Sequence, residues 1–153
     1  MKKAKLNKEF YTLLEPVLQD AGYETYYMAN HFLCINGKLH FAINHHHGSQ
    51  DSAYERVWLE NRFKDARAKE LFEEEGILLI TNRLSGIYPE FNVVCSNDGR
   101  VRIRYSCDIV KLEDLLPHIT YACDFFEKIQ AEAMHAITDM YELYHNKNIN
   151  KSK

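Results

Sequence analysis

The sequence predicts an α+β fold: an antiparallel sheet, made of a three-strand meander plus a hairpin, packed by an N-terminal helix, a middle helix and a long C-terminal helix. Three observations carry this. Apolar residues recur at helical spacing at both ends of the chain. Between them the period drops to two, in segments rich in aromatic and β-branched residues. Those segments flank Asn36-Gly37 and Asn97-Asp98-Gly99, the turn chemistry of tight hairpins. With 153 residues, 46% of them hydrophobic and 27% charged, a single domain over 1–153 is expected to bury its own core.

The first helix rests on the stripe Leu6, Phe10, Leu13, Leu14, Val17, Leu18 and Ala21, with Asn7 as candidate N-cap and Gly22 placed to end it as a C′ residue. Pro16 lies inside and lacks a backbone donor, so a kink or break is expected there. Three strands follow: YETYYM (23–28), HFLCI (31–35) and KLHFAIN (38–44). A two-residue loop at Asn36-Gly37 sets Ile35 against Lys38, Cys34 against Leu39 and Phe32 against Phe41. Phe32, Cys34, Leu39, Phe41 and Ile43 then share one face, and His31, Lys38 and His40 the wetter one.

YERVWL (54–59) reads as a further short strand. From Asp65 a helix can run through AKELFEEEGILLITNRL, with Arg83 in its last turn, Gly86 after it and Pro89 beyond. Gly76 weakens that helix, and Ile77 to Ile80 would serve equally as a buried strand, so 77–84 stays open between the two.

FNVVCS (91–96) and RVRIRYSC (100–107) form the second hairpin. A three-residue loop with Gly99 left-handed pairs Phe91, Val93 and Cys95 with Tyr105, Ile103 and Val101, whereas a two-residue loop would mix the faces. The last helix starts near Leu116, with Pro117 at its first position, and buries Leu116, Ile119, Cys123, Phe126, Ile129, Ala133, Ile137, Met140 and Tyr144. Through Tyr144 it would measure about 40 Å, more than a small sheet needs, so part of it is expected to project or meet a partner. The polar tail from about residue 146 is expected to fray.

The formal charge is −3, from 19 basic and 22 acidic residues, which gives no global footprint for nucleic acid or an anionic membrane. No run of eighteen apolar residues and no signal-peptide core is present, so a cytoplasmic protein without membrane or nucleic-acid partners is expected. Cys34, Cys95, Cys107 and Cys123 lack CxxC spacing and sit in apolar runs, as reduced, structural residues would. No phosphate-loop, dinucleotide, nucleophile-elbow or zinc-protease motif occurs, so neither catalysis nor a cofactor is expected.

Two constellations stand out. His45, His46 and His47 continue a strand, where neighbours face opposite ways, so they converge on one ion only if the strand ends there. With Asp51 or Glu55 they are the weak candidates for a metal site, against the expectation of a solvated strand end and no metal. Arg100, Arg102 and Arg104, at alternate positions of one strand, form a positive stripe able to receive acidic side chains or phosphates, unless acidic neighbours already satisfy it. Trp58 and the tyrosines at 23, 26 and 27 are the aromatics placed to assist. The acidic run Glu73, Glu74 and Glu75 reads as a solvated face.

GY after the first helix, FLCINGKLHFAIN, the loop from Asp51 to Leu59, and ITNRLSGIYPEFNVVCSNDGRVRIRYSCDIV with its Asn82 before a strand, a DG turn and a second strand are together similar to the YbjN-like family of the type III secretion chaperone-like fold. The helix after LEDLLPHI completes the pattern over nearly the whole chain. The triple histidine and the long last helix depart from it, as do Ser85 and Gly86 where family members often carry a second Asn. The resemblance implies a non-enzymatic, chaperone-like or regulatory module, homodimeric, that holds a segment of a partner protein and has no catalytic residues. Partner contact is then expected at Arg100, Arg102, Arg104 and Trp58. The alternative is a metal-dependent enzyme or metal sensor built on His45 to His47.

Overall fold

The computed structural model of the chain describes residues 2–28, 31–37, 39–46, 55–73 and 76–151. The fold is α+β, with six antiparallel strands in the order β1-β2-β3-β4-β6-β5 and four α-helices among the described residues, the last of them long. The chain divides into two compact units, Met1–Asn61 with Arg104–Phe125, and Arg62–Ile103 with Phe126–Lys153. The strands β4 (Glu55–Lys64) and β6 (Arg100–Ile109) and the helix α4 (Leu115–Lys151) each contribute residues to both.

In the first unit, α1 (Lys2–Asp20) starts before Asn7 and runs unbroken past Pro16, where a kink or break was expected. Losing one backbone bond to proline costs about 3 kcal/mol. Phe10, Leu14 and Leu18 are buried along one side of α1, at about 1.5–3 kcal/mol each, and together they outweigh the loss. The helix ends in a Schellman motif: Gly22 N–H bonds Gln19 O and Tyr23 N–H bonds Leu18 O, both at 3.0 Å, with Gly22 at φ 94°.

Strands β1 (Glu24–Met28), β2 (His31–Asn36) and β3 (Leu39–His46) form the meander. Its second turn differs from expectation by two residues of register: Asn36 pairs with Leu39, Cys34 with Phe41 and Phe32 with Ile43. Gly37, at φ 64°, takes the first loop position instead of the second, which suits a Gly-first turn and leaves Asn36 in the strand. A shift of two preserves the faces, so Phe32, Cys34, Leu39, Phe41 and Ile43 are buried together as expected. α1 packs on β1 and β3. The core is completed by Val57, Leu59, Tyr105, Cys107, Ile109, Leu115, Ile119, Ala122 and Cys123.

β4 is ten residues long and continues well past Leu59, where the expected short strand stopped. The sequence pattern fails there because two polar residues are buried. The Asn61 amide Nδ2 donates to His40 O at 2.9 Å, and the Glu60 carboxylate has a charged partner described below.

In the second unit the expected middle helix is two helices, α2 (Ala66–Glu73) and α3 (Gly76–Ile87). Residues 77–84 are helical: Ile77, Ile80, Thr81 and Leu84 are buried while Leu78 and Leu79 are exposed, a pattern only a helical period produces. Gly86 lies within α3 instead of ending it. Gly76 permits close approach of α4, since a Cβ there would lie 3.0 Å from the Tyr144 ring. Asp65 caps α2, its Oδ1 accepting the Arg67 N–H at 2.9 Å.

The hairpin of β5 (Phe91–Cys95) and β6 has the expected three-residue loop: Ser96 N–H bonds Arg100 O at 2.9 Å, and Gly99 stands at φ 84°. Ala68, Leu71, Ile77, Ile80, Leu84, Phe91, Val93, Val101, Ile103, Phe126, Ile129, Ala133 and Ile137 form this unit's core. A 3-10 turn at Leu112–Asp114 leads into α4. α4 begins at Leu115 and continues to Lys151, beyond the expected fraying point, because extending a helix already nucleated costs little even for Asn and Lys. No helix of the described residues is long and apolar enough to cross a membrane.

Candidate functional site: the outer faces of β4 and β6

Alternation along β4 and β6 sends Val57, Leu59, Val101, Ile103, Tyr105, Cys107 and Ile109 to the buried side. Their neighbours form the outer face and carry the charge.

In the first unit this face is electrically satisfied. Arg56 Nε donates to Asp108 Oδ1 at 3.0 Å. Arg104 Nη2 donates to Glu60 Oε1 at 3.1 Å, where the Glu60 side chain is 1% exposed and that of Arg104 41%. The Arg104 guanidinium also lies 5.8 Å from the centre of the half-buried Trp58 ring. Arg104 and Trp58 are thus brought together, but the arginine is engaged by a carboxylate of the neighbouring strand.

The second unit has the opposite character. The Asp65 N–H bonds Gly99 O at 3.0 Å. Antiparallel pairing continued from that bond sets Lys64 opposite Arg100 and Arg62 opposite Arg102. Two rows of like charge therefore stand side by side, with two cations facing each other across the strands in each row. Arg62, Lys64 and Arg100 are exposed, and Arg102 is half-buried. The Arg102 Nε is buried without a hydrogen-bond partner. Directly opposed like charges destabilise a sheet, and an unbonded buried N–H adds about 1–3 kcal/mol.

One acid touches the patch. Asp98 Oδ1 accepts the Arg100 N–H at 3.0 Å. That bond, followed by the charges of Arg100 and Lys64, holds the Asp98 carboxyl below its ordinary value.

The histidine segment is placed differently. His45 is buried on the core side of β3, stacked on Phe10 with ring centres 4.0 Å apart. Its Nε2 lies 2.8 Å from Glu55 Oε2, and its backbone N–H donates to Tyr11 Oη at 3.0 Å. The Tyr11 hydroxyl is pushed up in pKa, mainly by burial. His46 pairs with Arg56 through the backbone, while His47 and Asp51 lie outside the described residues. Among the described residues no group of three or more His, Cys, Asp and Glu could hold a metal ion.

All four cysteines are free. Cys34, Cys107 and Cys123 are buried, whereas Cys95 is only partly so, less than the sequence suggested. Burial pushes the Cys34 and Cys107 thiols up to about 12 and that of Cys95 to about 11, so these three are protonated and poor nucleophiles at neutral pH.

The residues sequence reasoning missed are Arg62, Lys64 and Asp98. The signal was present in NRFK, whose basic residues fall two apart, but it requires β4 to continue past the buried Glu60 and Asn61. Compared with family models, curated proteins and solved structures, the chain has no match.

Proposed function

We propose that this chain is a non-enzymatic protein-binding module, chaperone-like or regulatory, that holds an extended acidic segment of a partner protein on the outer face of its second unit. The observation that carries the reading is the pair of like-charge rows, Lys64 with Arg100 and Arg62 with Arg102, together with the buried, unbonded Arg102 Nε. Such an arrangement is unfavourable in the free protein and is relieved by carboxylates lying along the strands. It also discriminates among partners, since positive neighbours find no counter-charge there.

Protein is favoured over nucleic acid by the small number of cations and by the lack of an aromatic side chain on this face of the unit among its described residues. The overall charge of −3 points the same way. The reading carries with it the YbjN-like, secretion-chaperone-like resemblance, a homodimeric assembly and a cytoplasmic location. Light scattering on the purified chain tests the dimer.

Binding is tested by fluorescence anisotropy with a fluorescein-labelled Glu/Thr peptide and its Lys/Thr counterpart. The acidic peptide is expected to bind, and R102E is expected to weaken it by at least about tenfold, with salt competing. An acidic peptide bound equally by parent and variant would refute the assignment.

A further inference from the structure

The two rows are not equivalent. Asp98, in the hairpin loop, bonds the backbone of Arg100 at 3.0 Å and so stands beside the Lys64 and Arg100 row. The Arg62 and Arg102 row lies one strand repeat further on, about 7 Å away at 3.3–3.4 Å per residue. It contains the buried donor that lacks a partner.

Resting on the proposed protein-binding role, we infer that Asp98 is a specificity-determining residue: it serves as resident counter-ion of the Lys64 and Arg100 row, so that the partner's acidic side chain seats at Arg102 and a second acid two residues along is turned away. The physical reason is competition in a small space. Alternate residues of an extended peptide project to the same side with a spacing of about 7 Å, so an acid-x-acid segment would match both rows geometrically. Its second carboxylate would arrive against Asp98, whose charge already engages Arg100 and Lys64. Repulsion between the two carboxylates then cancels most of the gain.

The chain thus selects a segment with one acid at the Arg102 position and neutral residues on either side. Its loop supplies in cis the charge that a more acidic partner would bring. A phosphorylated side chain suits the Arg102 position on the same grounds, since it presents more acceptor oxygens to the guanidinium.

The test is a set of anisotropy titrations on the full chain with three labelled peptides of equal length. One carries a single Glu, one carries Glu at two alternate positions, and one is a Ser/Thr control; each is run against the parent, D98N and R102Q. Asparagine suits the turn and can still accept the Arg100 N–H, so D98N is expected to fold. In the parent the second Glu should change affinity less than about twofold. In D98N it should tighten binding about five- to tenfold, and in R102Q the contribution of the first Glu should disappear. Equal gain from the second Glu in parent and D98N overturns the inference while leaving the protein-binding role standing. Failure of the parent to bind either acidic peptide, or stronger binding of single-stranded RNA than of both, overturns that role and the inference with it.

Discussion

Replacing Arg102 by Met should make the free protein more stable, although it removes a residue assigned to binding. The substitution keeps the length and apolar stem of the side chain and deletes its charge and its donors. Two contributions work in the same direction. Cross-strand neighbours have Cβ atoms about 5 Å apart, and flexible heads can splay to about 7 Å, where the repulsion between Arg62 and Arg102 is about 0.6 kcal/mol in bulk water and about 2.4 kcal/mol at an effective dielectric constant of 20.

The buried, unbonded Nε adds about 1 kcal/mol once its neutral character is allowed for. Lost van der Waals contact of the guanidinium offsets part of this, leaving a net gain of about 1 kcal/mol at low ionic strength. Urea denaturation of parent and variant at two salt concentrations is the assay. The gain should shrink as salt rises, because a Debye length of about 10 Å at 0.1 M falls to about 3 Å at 1 M. A variant less stable than the parent, or a difference indifferent to salt, would show that these charges do not oppose each other as described. Stability gained at the expense of binding is the ordinary trade at functional surfaces.

Four further outcomes are expected. G99A should cost about 2–4 kcal/mol in urea unfolding, because φ 84° is strained for alanine and its Cβ would sit 2.5 Å from the Asp65 carbonyl oxygen. D65N should lose about 1 kcal/mol at neutral pH. The Arg67 side chain holds the Asp65 carboxyl below its ordinary value, so its contribution is full above the ordinary Asp pKa and fades as pH falls through the depressed one; unfolding free energies of parent and variant should converge there. R104A should destabilise by about 1–3 kcal/mol in thermal or urea unfolding, less than a fully buried pair would cost because Arg104 is partly exposed. The native protein should react slowly with a disulfide reagent at pH 8 and release four thiols on denaturation, given the burial and raised values at Cys34, Cys95 and Cys107.

Much of the fold was legible in the sequence because its turns announce themselves. Gly22 and Gly99 occupy the positive-φ positions their neighbours imply, and period-two alternation identifies the buried residues of β2, β3, β5 and β6. The register of the first hairpin escaped by two residues because Asn-Gly and Gly-first turns differ only in which residue enters the loop, and both leave the same side chains inside. The extent of β4 escaped for a different reason. Glu60 and Asn61 are buried with partners on other strands, and no local pattern reveals partners more than twenty residues away.

The candidate site inherited that gap. Arg100, Arg102 and Arg104 were visible as a stripe, but which of them is neutralised depends on pairing with β4: Glu60 engages Arg104, while Arg62 and Lys64 stand opposite the other two. The consecutive histidines drew attention in the sequence for their repetition. The structure places His45 in the core, between Phe10 and Glu55, a position that helical contacts from α1 determine.

The most direct test of the account is an NMR titration of the isotopically labelled chain with the single-Glu peptide, observing backbone amides and the arginine Nε–H signals. The account predicts progressive shifts centred on Arg62, Lys64, Arg100 and Arg102, with the Arg102 Nε–H moving most as it gains an acceptor. Shifts confined to the β1 edge around Tyr26 and Tyr27, or to the exposed Leu78 and Leu79 of α3, would contradict it and move the binding surface elsewhere.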